Sequence, residues 1–175
     1  MMKIEGEKIN LRNVDVSDFT KIIEWHQNQL LTYLAGKRLP KNIDECNERY
    51  FKKSLLNHIL AIEDKSGNFL GEIEISHIQW KEKMAELFMY IGEENLWGKG
   101  YGTEALSVFI NYIFNTKGFK TIYLRVYENN KRAIRCYEKC GFKKKGILKF
   151  KNQKIHSDNL ILMETSANIL KNKKS

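Results

Sequence analysis

The sequence predicts a mixed α/β (α+β) fold: a strongly twisted, mostly antiparallel sheet flanked by helices. Three observations predict it. Segments 58–63, 69–79 and 85–91 carry strand patterns joined by short turns, as in a meander. Strand and helix patterns then alternate through 139, which implies a parallel crossover. Segments 142–150 and 154–164 close the chain as a hairpin.

Residues 8–14 alternate and read as a short strand. Ser17 stands as an N-cap before FTKIIEW, a helix running to about Gln29. After Pro40, residues 42–56 read as a second helix. HILAIE (58–63) is a strand, and the DKSGN run at 64–68 is a turn. FLGEIEISHIQ (69–79) and AELFMYI (85–91) are antiparallel neighbours. Residues 103–116 place Ala105, Leu106, Phe109, Ile110, Ile113 and Phe114 at a helical period, and Gly118 ends that helix. KTIYLRVY (120–127) is a buried strand, and 131–139 is a short helix stopped by Gly141.

A chain of 175 residues with 42% hydrophobic residues is a single domain with a real core, 1–175, whose basic end at 168–175 is expected to fray. The net charge of +9 suits an anionic partner such as a phosphorylated cofactor. The lysines are scattered, however, and no aromatic-basic interleaving calls for nucleic acid. No apolar stretch approaches the roughly 20 residues of a membrane span. The opening MMKIEGEKIN has no signal-like apolar region. A cytoplasmic protein without membrane contact is expected, a monomer or homodimer. Cys46, Cys136 and Cys140 form an odd set that suits free thiols. Cys136 and Cys140 share a helix face as packing residues. The four histidines have no ligand spacing, so no metal is expected. Trp25 and Trp80 are expected in the core or a cleft wall.

The stretch LWGKGYGTEA asks for explanation. Gly98, Gly100 and Gly102 fall within five positions of a chain with 11 glycines, at the mouth of an apolar helix. Glycines there let backbone N–H groups converge at the positive end of the helix dipole, and Lys99 adds a charge. That is an anion site. Walker A spacing is absent. A dinucleotide fingerprint matches formally as Gly100-x-Gly102-x-x-Ala105, with Glu128 as the ribose acid. Its position is wrong, because residues 92–99 separate the glycines from the preceding strand.

A second stretch, VYENNKRAIRCYEKCGF (126–142), completes the signal. Together the two segments resemble the GCN5-related N-acetyltransferase family. Its pattern is Arg/Gln-x-x-Gly-x-Gly/Ala, followed by Asn-x-x-Ala-x-x-x-Tyr-x-x-x-Gly-Phe. Asn130, Ala133, Tyr137, Gly141 and Phe142 supply the second part, and Gly100 and Gly102 fit the first. Trp97 stands where Arg or Gln is usual. The form Trp-Gly-Lys-Gly-Tyr-Gly-Thr-Glu-Ala looks like the branch of ribosomal-protein alanine and spermidine N-acetyltransferases. Phe114-Asn115, Gly146, and Asp158 ahead of Met163 also match that branch.

The resemblance implies acetyl-CoA as co-substrate and a V-shaped cleft between the strand ending at Ile91 and strand 121–127. Met89, Tyr90 and Ile91 would edge the pantetheine. Trp97, Gly98, Lys99, Gly100, Tyr101, Gly102 and Thr103 would hold the pyrophosphate. Asn130 would bond the pantetheine arm beside Ala133, and could also cap its helix. Acetyl transfer needs an oxyanion donor, here the Ile91 N–H, and an acid for the leaving thiolate, here Tyr137. Glu72 and Glu74 share a strand face; one could remove the amine proton through water, or both could be solvated. A neutral fraction of the amine could also suffice. Arg125 sits where some protein acetyltransferases carry a glutamate base.

The first expected acceptor is a protein N-terminal amine. The alternative is a polyamine or other small amine, such as spermidine, an aminoglycoside or an amino acid. Asp44, Glu45 and Glu48 would favour a polycation, and the +9 charge would oppose it. A non-catalytic acetyl-CoA-binding module is a third possibility.

Overall fold

The computed structural model describes residues 3–52, 58–149 and 159–168. The end of the second expected helix, the hairpin's middle with His156 and Asp158, and the tail beyond 168 lie outside the described residues.

The strands are β1 (Lys3–Glu5), β2 (Ile9–Arg12), β3 (His58–Asp64), β4 (Phe69–Gln79), β5 (Met84–Ile91), β6 (Thr121–Tyr127), β7 (Lys143–Leu148) and β8 (Leu160–Ser166). The helices are α1 (Phe19–His26), α2 (Gln29–Ala35), α3 (Ile43–Asn47), α4 (Tyr101–Asn115) and α5 (Lys131–Lys139). All eight strands join one sheet in the order β1-β2-β3-β4-β5-β6-β8-β7. β5 and β6 run parallel, and the other pairs are antiparallel. The meander, the crossover and the C-terminal pairing are as expected.

The differences lie where local signals are weak. β1 is three residues long, too short to show a period. Asp15, not Ser17, caps the first helical turn: its carboxylate accepts from the Ser17 N–H, and Asp18 accepts from the Asp15 N–H in return. The helix then stops at His26, and α2 follows as a separate element that the sequence did not announce. α2 buries only Leu31, so no amphipathic period marks it; Asn28 caps its start and Gly36, with φ +66°, ends it. α3 passes into a wide π-type turn at Glu48–Lys52.

Helices cover the sheet on both faces. α4 lays Leu106, Phe109, Ile110 and Ile113 against Ile62, Ile73, Ile75 and Leu87. On the other face α1, α2 and α3 bring Ile22, Trp25, Leu31 and Cys46 over Ala61, Phe69 and Tyr90. This double cover explains why β4 is buried from Phe69 through Ile75 despite its two glutamates. Trp80 departs from expectation: at 63% exposure it packs on Phe119 outside the core. No helix among the described residues is long and apolar enough to cross a membrane.

Candidate active site

The sheet opens between its two parallel strands. β5 and β6 pair only at Met84–Thr121, Ala85–Ile122 and Glu86–Tyr123. Beyond Glu86, β5 stays on β4 as far as Ile91, and β6 stays on β8 as far as Tyr127. Each strand is held by its other neighbour, so the two diverge and leave a V. The register fixes which backbone groups face the gap. Gly92 donates to the Leu70 carbonyl at 2.8 Å. Antiparallel alternation then turns Tyr90 and Phe88 towards β4, and turns the N–H and C=O of Met89 and Ile91 towards the V. The Trp97 indole N–H takes the Ile91 carbonyl at 2.7 Å.

The V is the mouth of a cavity of about 310 Å³. At its open end the chain turns through Gly98 and Gly100, with φ +76° and +92°, into α4. Gly100 is the N-cap and no side chain caps the first turn, so backbone donors remain available. Gly102 has ordinary helical φ; a Cβ there would touch Met89 Cε at 3.5 Å and Ile91 Cγ1 at 3.7 Å. Its lack of a side chain widens the floor between loop and strand rather than relieving backbone strain.

α5 forms the opposite wall. Asn130 caps it, its Oδ1 accepting from the Ala133 N–H at 3.2 Å. Its amide nitrogen has no partner among the described residues, so the cap leaves that donor available. Tyr137 is buried against Phe142, and its hydroxyl likewise has no partner among the described residues. Burial first, and then the Cys136 and Cys140 thiols, push the Tyr137 phenol above its usual range. Cys136 accepts from Thr103 Oγ1 at 3.3 Å, and Cys140 donates to the Thr103 carbonyl at 3.3 Å. The bond from Cys140, with help from Thr103, Lys139 and Arg132, draws the Cys136 thiol down to about 7 against its burial. These contacts bind the start of α4 to α5.

Met89, Tyr90, Ile91, Trp97, Gly98, Gly100, Tyr101, Gly102, Thr103, Asn130, Ala133 and Tyr137 all line the cavity. Lys99 does not; it is exposed outside the lining. Leu31, Leu34 and Ala35 of α2 complete one wall, unforeseen because α2 was. Arg132, Arg135 and Lys139 were also missed, although their spacing along α5 places them with Cys136 on one helical side. With Arg125 they make four cations among the described lining residues, which include no carboxylate.

Glu72 and Glu74 stand elsewhere. Strand alternation points them away from α4, to the face covered by α1, α2 and α3, and neither lines the cavity. They are not solvated: both are fully buried. Glu72 accepts from Tyr50, from the Tyr90 hydroxyl at 2.8 Å and from Arg49 at 3.2 Å. Glu74 accepts from Arg49 at 2.8 Å and from Lys37. Two cations and two phenols thus close around the two buried carboxylates. Burial, then the Glu72 charge, hold the Tyr50 and Tyr90 phenols far above their usual range. Asp44, Glu45 and Glu48 line an open groove with Arg38, Arg49 and Lys52 that shares no residue with the cavity. Among the described residues no cluster of His, Cys, Asp and Glu could hold a metal ion.

A sheet split at its parallel pair, with a glycine-built helix start at the open end, is the fold of an acetyl-CoA-dependent N-acetyltransferase. The Acetyltransferase (GNAT) domain model matches residues 8–143, and the chain belongs to that family. A spermine/spermidine N(1)-acetyltransferase of Bacillus subtilis (strain 168) is 38% identical over 157 residues, which are 84% of this chain and 95% of that protein. A spermidine N(1)-acetyltransferase of Vibrio cholerae serotype O1 is 27% identical over 145 residues, 82% of this chain and 83% of that one. The crystal structure of spermidine N-acetyltransferase from Vibrio cholerae in complex with CoA and spermine shares the fold, with a TM-score of 0.82 at 24% identity over 94% of this chain and 99% of that one.

Proposed function

We propose that the protein transfers acetyl from acetyl-CoA to a primary amine of a small polyamine-like acceptor. The observation that carries this reading is the 38% identity to the Bacillus spermine/spermidine enzyme across 95% of its length. It reverses the order expected from sequence, where a protein N-terminal amine came first partly because +9 would repel a polycation. Net charge sums the whole surface. An acceptor feels the local field rather than that sum.

The residues present fit coenzyme A. The turn at 98–103 offers uncapped donors and four cations line the cavity, as a polyanionic ligand requires. The inward N–H groups of Ile91 and Met89 suit the pantetheine amides and the thioester oxygen. An arm anchored at the loop passes Ile91 first and Met89 next on its way into the V. Only one of the two can steady the developing oxyanion, since N–H groups two residues apart on a strand stand about 6.7 Å apart. Asn130 donates to the arm through its free amide. Tyr137, kept neutral by burial, gives its proton to the departing thiolate.

Among the described residues no carboxylate lines the cavity to serve as base, and Glu72 and Glu74 are already engaged by Arg49 and Lys37. On this reading the acceptor reacts from its neutral fraction. Acceptor screening with acetyl-CoA, reading free thiol, tests the proposal. Spermidine and spermine should give higher kcat/KM than N-terminal peptides, aminoglycosides or amino acids. A peptide leading that series would overturn the acceptor assignment. The alkaline rise of kcat/KM should track the acceptor's own pKa from one amine to the next.

A further inference from the structure

Among the described cavity cations Arg125 is paired with Glu86, and Arg135 and Lys139 are exposed, whereas Arg132 is partly buried without an ion pair. Its guanidinium carbon lies 3.5 Å from the centre of the Trp97 ring, in the first turn of α5. Trp97 is itself pinned through its indole N–H to the Ile91 carbonyl. Arg12, Arg38, Arg49 and Arg125 each pair with a carboxylate. Arg132 has no ion-pair partner among the described residues. The acid that acts on it, Glu94, directs a carboxylate oxygen to the Asn28 amide at 3.0 Å. A partly desolvated guanidinium on an aromatic face keeps its charge and presents its donors outward. Left without a counter-ion, it is costly.

We propose that Arg132, seated on Trp97, binds the pyrophosphate of acetyl-CoA across from the backbone donors of 98–103, and that Trp97 is its positioning residue. The proposal rests on the placement of coenzyme A in this cavity. Trp97 directly precedes Gly98, so Arg132 stands within a side chain's reach of that turn. The arrangement also accounts for Trp97 in a position where the family pattern has Arg or Gln: the cation comes from the neighbouring helix, and the tryptophan supplies its seat. Planar guanidinium geometry suits two-point bonding to phosphate oxygens.

The test is calorimetric titration of CoA and of dephospho-CoA, which lacks the 3′-phosphate, into wild type, Arg132→Met, Arg132→Lys, Trp97→Leu and Trp97→Phe. Arg132→Met should weaken both ligands by about 10-fold or more, the scale of a lost charge-assisted contact. Trp97→Leu should weaken both by a smaller factor. Trp97→Phe, which keeps an aromatic face, should recover part of that loss, and Arg132→Lys should recover only part of the Arg132→Met loss. In turnover, Arg132→Met should raise KM for acetyl-CoA with kcat nearly unchanged. Unchanged affinity for both ligands would overturn the proposal. So would a loss confined to CoA, which would put Arg132 on the 3′-phosphate. A Gly102→Trp control separates the underlying placement: if it too leaves CoA binding intact, coenzyme A does not occupy this cavity and both assignments fail together.

Discussion

Arg125 grips Glu86 at two points, with Nε 2.6 Å from one carboxylate oxygen and a terminal nitrogen 3.0 Å from the other. Glu86 is the last β5 residue paired with β6, and Arg125 lies two residues beyond the end of that ladder. The ion pair therefore ties the strands together where they part. His77, in a left-handed conformation with φ 48°, adds its Nδ1 to the same carboxylate at 2.9 Å. The sequence marked Arg125 as a base that was absent; in the fold it is a brace with its cationic end along the cavity.

Glu86→Gln releases that end. Arg125 is half exposed, so the stability loss should be small, about 1 kcal/mol or less. The freed guanidinium should instead repel a cationic acceptor. KM for the amine should rise several-fold while the Kd of acetyl-CoA holds or tightens. A proportionate fall in both substrates' affinities would mean that the pair only supports the fold.

Tyr137→Phe should lower kcat by about 10²-fold, the ordinary size of a general-acid contribution, and change acetyl-CoA affinity little. Because burial raises the phenol's pKa, wild-type kcat should show no loss from Tyr137 ionisation up to pH 10. The same shift has a stability consequence with a definite sign. A proton held more tightly in the folded state stabilises it fully below the unfolded value near 10 and progressively less as pH rises beyond it. Alkaline melting of Tyr137→Phe should therefore fall less steeply than that of wild type. Equal slopes would contradict the buried assignment.

The glycines should separate by position. Gly100→Val forces a β-branched side chain to φ +92° and should disrupt the turn and acetyl-CoA binding together. Gly102→Ala meets only ordinary contacts at 3.5 and 3.7 Å, so it should bind acetyl-CoA and gain roughly 0.5–1 kcal/mol of stability from lower backbone entropy cost. Thermal melts with and without acetyl-CoA read both effects.

Arg12→Ala tests the support beneath the N-terminal helix. Arg12 bridges the buried Asp18, at 2.7 and 2.8 Å, to Glu63 at 2.6 Å. Without it the two carboxylates are left with weaker partners, and about 3–5 kcal/mol should be lost. Burial alone would raise the Glu63 pKa, but Arg12, Asn10 and Lys3 together hold it below the usual value. Its stabilisation is thus present above the unfolded carboxylate range and fades as pH falls through the folded value. The variant should show a flatter stability profile between neutral pH and pH 4 by chemical denaturation.

The elements with long, strongly periodic patterns were legible in the chain: α4 with its six buried apolar positions, the 58–91 meander, and α5 between Asn130 and Gly141. The glycine turn at Gly98 and Gly100 and the Asn130 cap were legible as local backbone signals, while the place of Tyr137 in the lining followed from the family resemblance. α2 was not, since a seven-residue helix burying one leucine has no period to show. Glu72 and Glu74 were read as possible base or solvated pair because alternation gives a face but not what covers it.

Taken alone, the linear sequence establishes an anion-binding glycine turn, and the family resemblance carried by that turn and the Asn-Ala-Tyr helix implied the donor. Neither established charge placement. Arg49 and Lys37 reach Glu72 and Glu74 across 23 to 37 positions, and Arg132 meets Trp97 from another helix. Such pairings follow from how helices dock on the two sheet faces, a long-range packing outcome that no local pattern encodes. They decide which carboxylates are ion-paired and which guanidinium is left without a carboxylate among the described residues.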